Sequence, residues 1–203
     1  MIKIWGHSRS SNVQKVLWAA DELGLIYERI EAGGTFGKNK TPEYLALNPN
    51  GLVPTLEDEG LVVWESHAIV RYLYLRYGNA GAAPASFSKA DRWTDWQQTT
   101  LWPPVRSLVV QLVRTPEKDR DPKAIALASE QVVAALRLLD AHLSKSAFVA
   151  GDSFGFGDIP LGIAVQRWVH LPVLRPTLPN VERWYGSFQS RPPFKKWVAH
   201  PLA

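Results

Sequence analysis

The chain has 203 residues, 46% of them hydrophobic, which is enough apolar material for one large core or two smaller ones. Its net charge of +4 comes from singly scattered basic residues, which disfavours a nucleic-acid binder because such proteins cluster their positive charge. No stretch reaches the roughly 18 apolar residues of a membrane span and no signal-peptide pattern opens the chain, so we expect a cytoplasmic protein that does not bind a membrane.

Cysteine is absent from the sequence. The protein can therefore form no disulfide and supply no thiolate of its own, so any sulfur chemistry must come from a ligand. The histidines, at positions 7, 67, 142, 170 and 200, lack the spacing of metal ligands. We predict no metal site.

The first part of the chain alternates strand and helix patterns. Residues 2–5 and 26–30 read as strands, and apolar residues at helical spacing lie between them. Thr41-Pro42 marks the start of another helix. Residues 53–56 and 61–64 then predict an antiparallel hairpin, and a helix follows it. This order predicts a mixed four-stranded sheet with helices packed on it.

The second part is helical almost throughout. Residues 78–88 are small, polar and contain proline, and we place the domains at 1–78 and 89–203 with a linker at 79–88. A helix is predicted over 90–113, where Pro103 and Pro104 must kink or interrupt it. A long amphipathic helix ends near Leu143, another follows Asp158, and a shorter one lies near 181–189. The fold class is α/β followed by all-α.

A pair of motifs brackets the predicted hairpin. "NPNGLVP" precedes its first strand, and "WESHAI" ends its second strand on Glu65 and Ser66. A backbone turn on one side and an acid with a hydroxyl on the other are typical of a site for a small polar ligand. Taken alone, Glu65 and Ser66 would more often be helix-capping residues.

With "SSNVQKV" at the first helix and "GDSFGFGDIPLG" in the helical part, these motifs resemble the bacterial cytosolic glutathione S-transferases of theta-like or nu-like type. The resemblance spans nearly the whole chain. It implies a thioredoxin-like N-terminal domain, an all-helical C-terminal domain, glutathione as co-substrate, a small electrophilic second substrate and a homodimer. The scaffold is less specific about substrate, because one fold hosts many chemistries.

The resemblance also implies which residues bind glutathione. It predicts a cis bond between Val53 and Pro54, and a cysteinyl backbone paired with Val53 beside Leu52. Glu65 would meet the ligand's α-amino group and Ser66 its γ-glutamyl carboxylate, at a helix N-terminus that favours anions. Lys40 lies in the loop where relatives contact the glycyl carboxylate, although a solvated loop is the alternative. Ser11, at the start of the first helix, completes the binding set.

The chemistry requires a thiolate. Lowering the glutathione thiol pKa by about two units from ~8.5 takes ~2.7 kcal/mol, which one charge-assisted hydrogen bond of ~1.5 to 3 kcal/mol and a helix N-terminus of ~0.3 to 1 kcal/mol could supply. By the resemblance, Ser10 occupies the position of a catalytic serine and Asn12 that of an asparagine that holds the sulfur in some relatives. The alternative is that this serine and asparagine cluster merely caps the helix.

By the resemblance, the second substrate meets the first helical stretch after the linker. Trp96 and Trp102 would form aromatic walls for an apolar electrophile, and Arg106 would orient an anionic part of it. Asp158 has a different role, because its motif is similar to a family capping box in which Gly155 replaces the usual Ser or Thr. We expect Asp158 to be a folding residue rather than a catalytic acid.

The sequence therefore predicts a glutathione transferase. A glutathione-dependent disulfide reductase or peroxidase is the nearest alternative, and a role for Asn12 would favour it. A noncatalytic interaction module of the same fold is a different class of hypothesis, and a nucleic-acid binder comes third.

Overall fold

The computed structural model describes residues 1–78 and 83–200. The chain divides into two units, Met1–Pro84 and Ala85–Ala203. The first unit contains a sheet with helices and the second is helical, which confirms the predicted fold class.

The first unit is built on a mixed four-stranded sheet. Its strands are β1 (Ile2–Trp5), β2 (Tyr27–Ile30), β3 (Thr55–Asp58) and β4 (Leu61–Trp64), and its helices are α1 (Ser11–Glu22), α2 (Pro42–Leu47) and α3 (Ser66–Arg76). A short 3-10 turn, Gly34–Phe36, precedes α2. The strand order is β2-β1-β3-β4, with β1 parallel to β2 and antiparallel to β3. The parallel pair requires a crossover connection, which α1 supplies.

The core of this unit lies under α1 and α3, which pack against each other. Strand β1 alternates buried Ile2 and Ile4 with partly exposed neighbours, as a strand with one buried face must. Helix α1 presents a fully buried apolar face that includes Val13 and Leu17. Lys15 lies on a different side of the same helix, and its side chain is also fully buried.

The second unit contains helices α4 (Pro84–Trp96), α5 (Trp102–Val109), α6 (Pro122–Leu143), α7 (Asp158–Val169), α8 (Pro179–Phe188) and α9 (Pro192–Trp197). Helix α5 packs on α6 and α7, and α6 packs on α8. Because α4 begins at Pro84, residues 84–88 of the predicted linker are helical, with proline at a helix start, where its missing N–H costs least. Residues 79–82 of that linker lie outside the described residues.

The predicted disruption at Pro103 and Pro104 takes the form of a π-helical segment, Gln97–Leu101, between α4 and α5. Neither proline has an N–H to donate to the carbonyl four residues earlier. The Trp102 N–H instead donates to the Gln97 carbonyl, five residues back. A second π segment, Val110–Arg114, follows α5, and a 3-10 turn, Glu117–Asp119, precedes α6.

Asp158 joins the loop before α7 to helix α8. Its Oδ1 accepts hydrogen bonds from the Val149 N–H (3.1 Å) and the Trp184 indole N–H (2.8 Å), and its Oδ2 accepts from the Gly155 N–H (2.9 Å). The side chain is fully buried, and this burial raises its pKa to about 6. These contacts support the structural role expected for Asp158.

Within residues 1–78 and 83–200, no helix combines the length and apolar character that crossing a membrane requires.

Candidate functional site

The turn between α2 and β3 is held by buried polar side chains. Asn48, which ends α2 and is 2% exposed, donates from Nδ2 to the Leu52 carbonyl (2.9 Å) and the Thr55 hydroxyl (3.1 Å). The Tyr44 hydroxyl donates to the same Leu52 carbonyl (2.6 Å) and lies 2.8 Å from the Thr55 hydroxyl. Asn48 Oδ1 accepts from the Asn50 N–H (3.1 Å). These bonds fix the Leu52 carbonyl from two sides, and with it the path of the turn.

The end of this turn carries the cis bond between Val53 and Pro54 that the family resemblance implies. Gly51 lies in the left-handed region at φ 58°, and a Cβ there would come within 2.8 Å of the Asn39 carbonyl, so only glycine fits. Among the described residues, neither the N–H nor the C=O of Val53 makes a backbone hydrogen bond outside regular elements. Val53 itself precedes β3, so its peptide groups remain available for an added extended chain.

The start of α3 lies across from this turn. Glu65 precedes the helix at φ 72° and ψ 117°, a strained conformation for a residue other than glycine. Such strain is concentrated at functional sites, where surrounding structure enforces it. The exposed Glu65 side chain is followed by Ser66, which is 5% exposed and whose hydroxyl donates to Asn12 Oδ1 (3.4 Å).

One pocket, which we call the turn pocket, is formed by this turn, the start of α3 and Asn12 of α1. It is lined by Asn12, Asn48, Asn50, Leu52, Val53, Pro54, Glu65 and Ser66. Six of these residues were predicted from the sequence. Asn48 and Asn50 belong to the "NPNGLVP" motif but had no assigned role. A role for Asn48 could have been inferred from its position, since it ends a helix and the next regular element is a strand.

The remaining predicted glutathione contacts lie near the turn pocket without lining it. Ser10 is the N-cap residue of α1, although its side chain makes no capping hydrogen bond, and Ser11 is the first residue of that helix. Lys40 is exposed, and its Nζ donates to the Asn50 carbonyl (3.4 Å). Of the two candidate sulfur contacts, therefore, Asn12 lines the pocket and Ser10 does not.

Two buried basic side chains behind Asn12 were not assigned to the site by sequence reasoning. Lys15 Nζ donates to Asn12 Oδ1 (3.1 Å) and lies 3.0 Å from His67 Nε2. Burial lowers the pKa of the Lys15 ammonium to about 7, against the opposing attraction of the Glu65 carboxylate. The available signal was a lysine within residues 13–20, a helical segment that is otherwise apolar except for Gln14.

The residues predicted to bind the electrophile do not gather in one place. Trp96 lines two adjoining grooves between the first helical stretch of the second unit and α6, with volumes of about 320 and 520 Å³. It shares both grooves with Leu138. Trp102 is half-buried and Arg106 is exposed, and neither lines these grooves.

Across residues 1–78 and 83–200, no group of three or more histidine, aspartate or glutamate side chains is placed to hold a metal ion.

Known proteins match this chain over its full length. The family model "Glutathione S-transferase, N-terminal domain" matches residues 1–74, and "Glutathione S-transferase, C-terminal domain" matches residues 122–187. Glutathione S-transferase GstB of Escherichia coli K12 is 41% identical over 208 aligned positions that cover 100% of both chains. Glutathione S-transferase 3 of Zea mays is 33% identical, covering 98% of this chain and 93% of its own.

A solved structure has the same fold. The theta class glutathione S-transferase of Xanthomonas axonopodis pv. citri, crystallised with glutathione bound, superposes with a TM-score of 0.92 at 47% identity, covering 100% of this chain and 99% of that one. These matches confirm the resemblance that the sequence motifs indicated. The chain belongs to the glutathione S-transferase family.

Proposed function

We propose that this protein is a glutathione transferase that binds glutathione in the turn pocket, stabilises its thiolate and transfers it to an apolar electrophile. The observation that carries the proposal is the turn pocket itself, which joins the cis-proline turn, the start of α3 and Asn12 in one place. The glutathione-bound relative from Xanthomonas supports it, because that protein is similar over the whole chain.

The binding roles follow from the chemistry of the tripeptide. Val53, next to the exposed Leu52, offers an N–H and a C=O with which the cysteinyl backbone pairs as an added strand. The γ-glutamyl end carries an amino group and a carboxylate. Glu65 attracts the amino group, and Ser66, at the N-terminus of α3, donates to the carboxylate. Lys40 attracts the glycyl carboxylate from the edge of the site.

The sulfur meets the start of α1. Asn12 lines the pocket and has an amide N–H to donate, Ser10 and Ser11 supply hydroxyls, and Ser11 supplies an N–H of the first helical turn. Donors of this kind favour the thiolate over the thiol. The thiolate then attacks an electrophilic carbon, forming a carbon–sulfur bond while the leaving group departs with its electron pair.

The electrophile is held by the second unit. We retain Trp102 and Arg106 as its predicted contacts, whereas Trp96 lines grooves that neither of them lines. A homodimer and a cytoplasmic location remain predictions.

Two measurements test this function. Glutathione at about one hundred times its Kd stabilises a folded binder by about 2.7 kcal/mol, which for a chain of this length raises Tm by roughly 5 to 10 °C. Conjugation is then assayed with an aromatic halide, and reduction with a glutathione mixed disulfide. No change in Tm would contradict the proposal and favour a noncatalytic module, whereas turnover of the disulfide alone would favour the reductase.

A further inference from the structure

The buried ammonium of Lys15 connects the two helices that flank the turn pocket. Lys15 belongs to α1 and is fully buried, and its Nζ contacts Asn12 of the same helix and His67 of α3. His67 directly follows Ser66, so the two neighbouring α3 residues approach α1 at the same point. A lysine is rarely buried so completely, because removing its charge from water is costly unless its protons are bound by partners.

The contact with Lys15 determines which end of the Asn12 amide points inward. Lys15 Nζ donates to the Asn12 carbonyl oxygen, 3.1 Å away, and it has N–H groups to donate whether it is an ammonium or a neutral amine. Without ligand the Ser66 hydroxyl donates to that same oxygen (3.4 Å), but its single proton turns to the γ-glutamyl carboxylate when glutathione binds. With Oδ1 held by Lys15, the amide NH₂ is the end left for other partners, and the Asn12 side chain is exposed where it lines the pocket.

The two ends of an amide act on a thiolate in opposite ways. An N–H donates a charge-assisted hydrogen bond to the sulfur and lowers the thiol pKa, whereas a carbonyl oxygen repels the anion and raises it. An asparagine that could rotate its amide freely would do neither consistently. Control of its orientation is therefore as important as its position.

We propose that Lys15 is a positioning residue, which fixes the Asn12 amide with its oxygen inward so that its N–H donates to the sulfur of bound glutathione. The inference rests on the proposed function, because it requires that glutathione occupy the turn pocket. The charged and titratable groups around Lys15 include His67, which faces it from α3, and Glu65, whose carboxylate attracts the ammonium from the start of that helix.

The test is a cycle of three variants: Lys15→Met, Asn12→Ala and the double variant. Methionine is close to lysine in length but has no proton to donate. The ultraviolet absorbance of the thiolate gives the pKa of bound glutathione in each protein. We expect each single substitution to raise this pKa by about one unit, equivalent to about 1.4 kcal/mol, and the double variant to raise it no further, because both remove the same hydrogen bond.

Lys3→Met serves as the matched control, since it makes the same substitution in the same unit on strand β1, away from the turn pocket. It should leave the thiol pKa unchanged. If Lys15→Met lowered the stability of the protein but left the pKa of the bound thiol unchanged, the role of Lys15 would be purely structural. That result would overturn the inference. Additive pKa shifts in the double variant would overturn it too, since they would show that Lys15 acts independently of Asn12.

If Lys15→Met does not fold, Asn12→Asp provides a second test. A carboxylate at this exposed position keeps the contact with the ammonium but has no N–H, so the bound thiol pKa should rise at least as much as in Asn12→Ala. An unchanged pKa would overturn the inference. Failure of the unaltered protein to bind glutathione would instead contradict the proposed function and the inference together, whereas normal binding with an unchanged pKa in every variant contradicts the inference alone.

Discussion

Replacing Asp158 by alanine should destabilise the protein severely. Three donors would lose their acceptor, namely the buried Val149 N–H and Trp184 indole N–H and the partly buried Gly155 N–H. At about 1 to 3 kcal/mol for each buried unsatisfied donor, the two buried ones sum to between about 2 and 6 kcal/mol. Removing the buried carboxylate also relieves its desolvation, so we expect a net loss of about 3 to 5 kcal/mol in the free energy of unfolding.

The same residue predicts a pH dependence with a definite sign. Burial raises the folded-state pKa of Asp158 from 3.8 to about 6, so the folded protein binds more protons than the unfolded chain between these values. The contribution of Asp158 to the free energy of unfolding is fully present below pH 3.8 and decreases as pH rises through about 6, by about 3 kcal/mol in all. Asp158→Ala should not show this decrease.

Urea unfolding followed by circular dichroism and tryptophan fluorescence, at a series of pH values, measures both effects. Asp152→Ala is the matched control, because Asp152 precedes the same helix but is exposed. A loss of stability in Asp158→Ala as small as in that control, at every pH, would refute the reasoning from buried donors.

Three further outcomes are expected. Tyr44→Phe removes a donor to the Leu52 carbonyl, so it should lower the free energy of unfolding in urea by about 1 kcal/mol and weaken glutathione binding several-fold. Unaltered binding would show that the turn does not depend on this hydroxyl. Because burial lowers the folded-state pKa of Lys15 from 10.5 to about 7, the unfolded chain binds more protons between these values, and wild-type stability should gain with pH across this window. Lys15→Met should abolish the gain, and an equal slope in both proteins, measured by urea unfolding, would contradict the assigned burial. Ser66→Ala should weaken glutathione binding at least tenfold in calorimetric titration, since a hydrogen bond to a charged group contributes about 1.5 to 3 kcal/mol, whereas exposed Ser144→Ala should bind normally.

The sequence allowed the elements of the first unit to be predicted because its signals are local. Alternation along β1, the Thr41-Pro42 helix start and the hairpin turn each depend on residues a few positions apart. The turn pocket could be predicted for a similar reason, since its motifs flank one hairpin.

What could not be predicted depends on burial and on distant partners. The apolar residues around Lys15 are a local signal, but they do not identify its partner His67, which lies 52 residues away. Asp140, likewise, accepts hydrogen bonds from the N–H groups of Asn180 and Val181 at the start of α8, a contact between residues 40 and 41 positions apart. Such pairs are visible only once the helices have packed.

The placement of Trp96 illustrates a third limit. Trp96 lies before the π segment Gln97–Leu101, and Trp102 and Arg106 follow it. The two prolines predict an interruption of the helix, but they do not give the turn geometry that directs the side chains on either side of it.

The linked side chains of Asn48, Thr55 and Tyr44 have a consequence for kinetics. Tyr44 and Asn48 hold the Leu52 carbonyl through bonds within the protein itself, and Thr55 links the two, so the edge proposed to receive the tripeptide exists before any ligand arrives. Encounter with glutathione then requires no folding of this turn, and substitutions that loosen it should shorten the residence time of the ligand more than they slow its arrival.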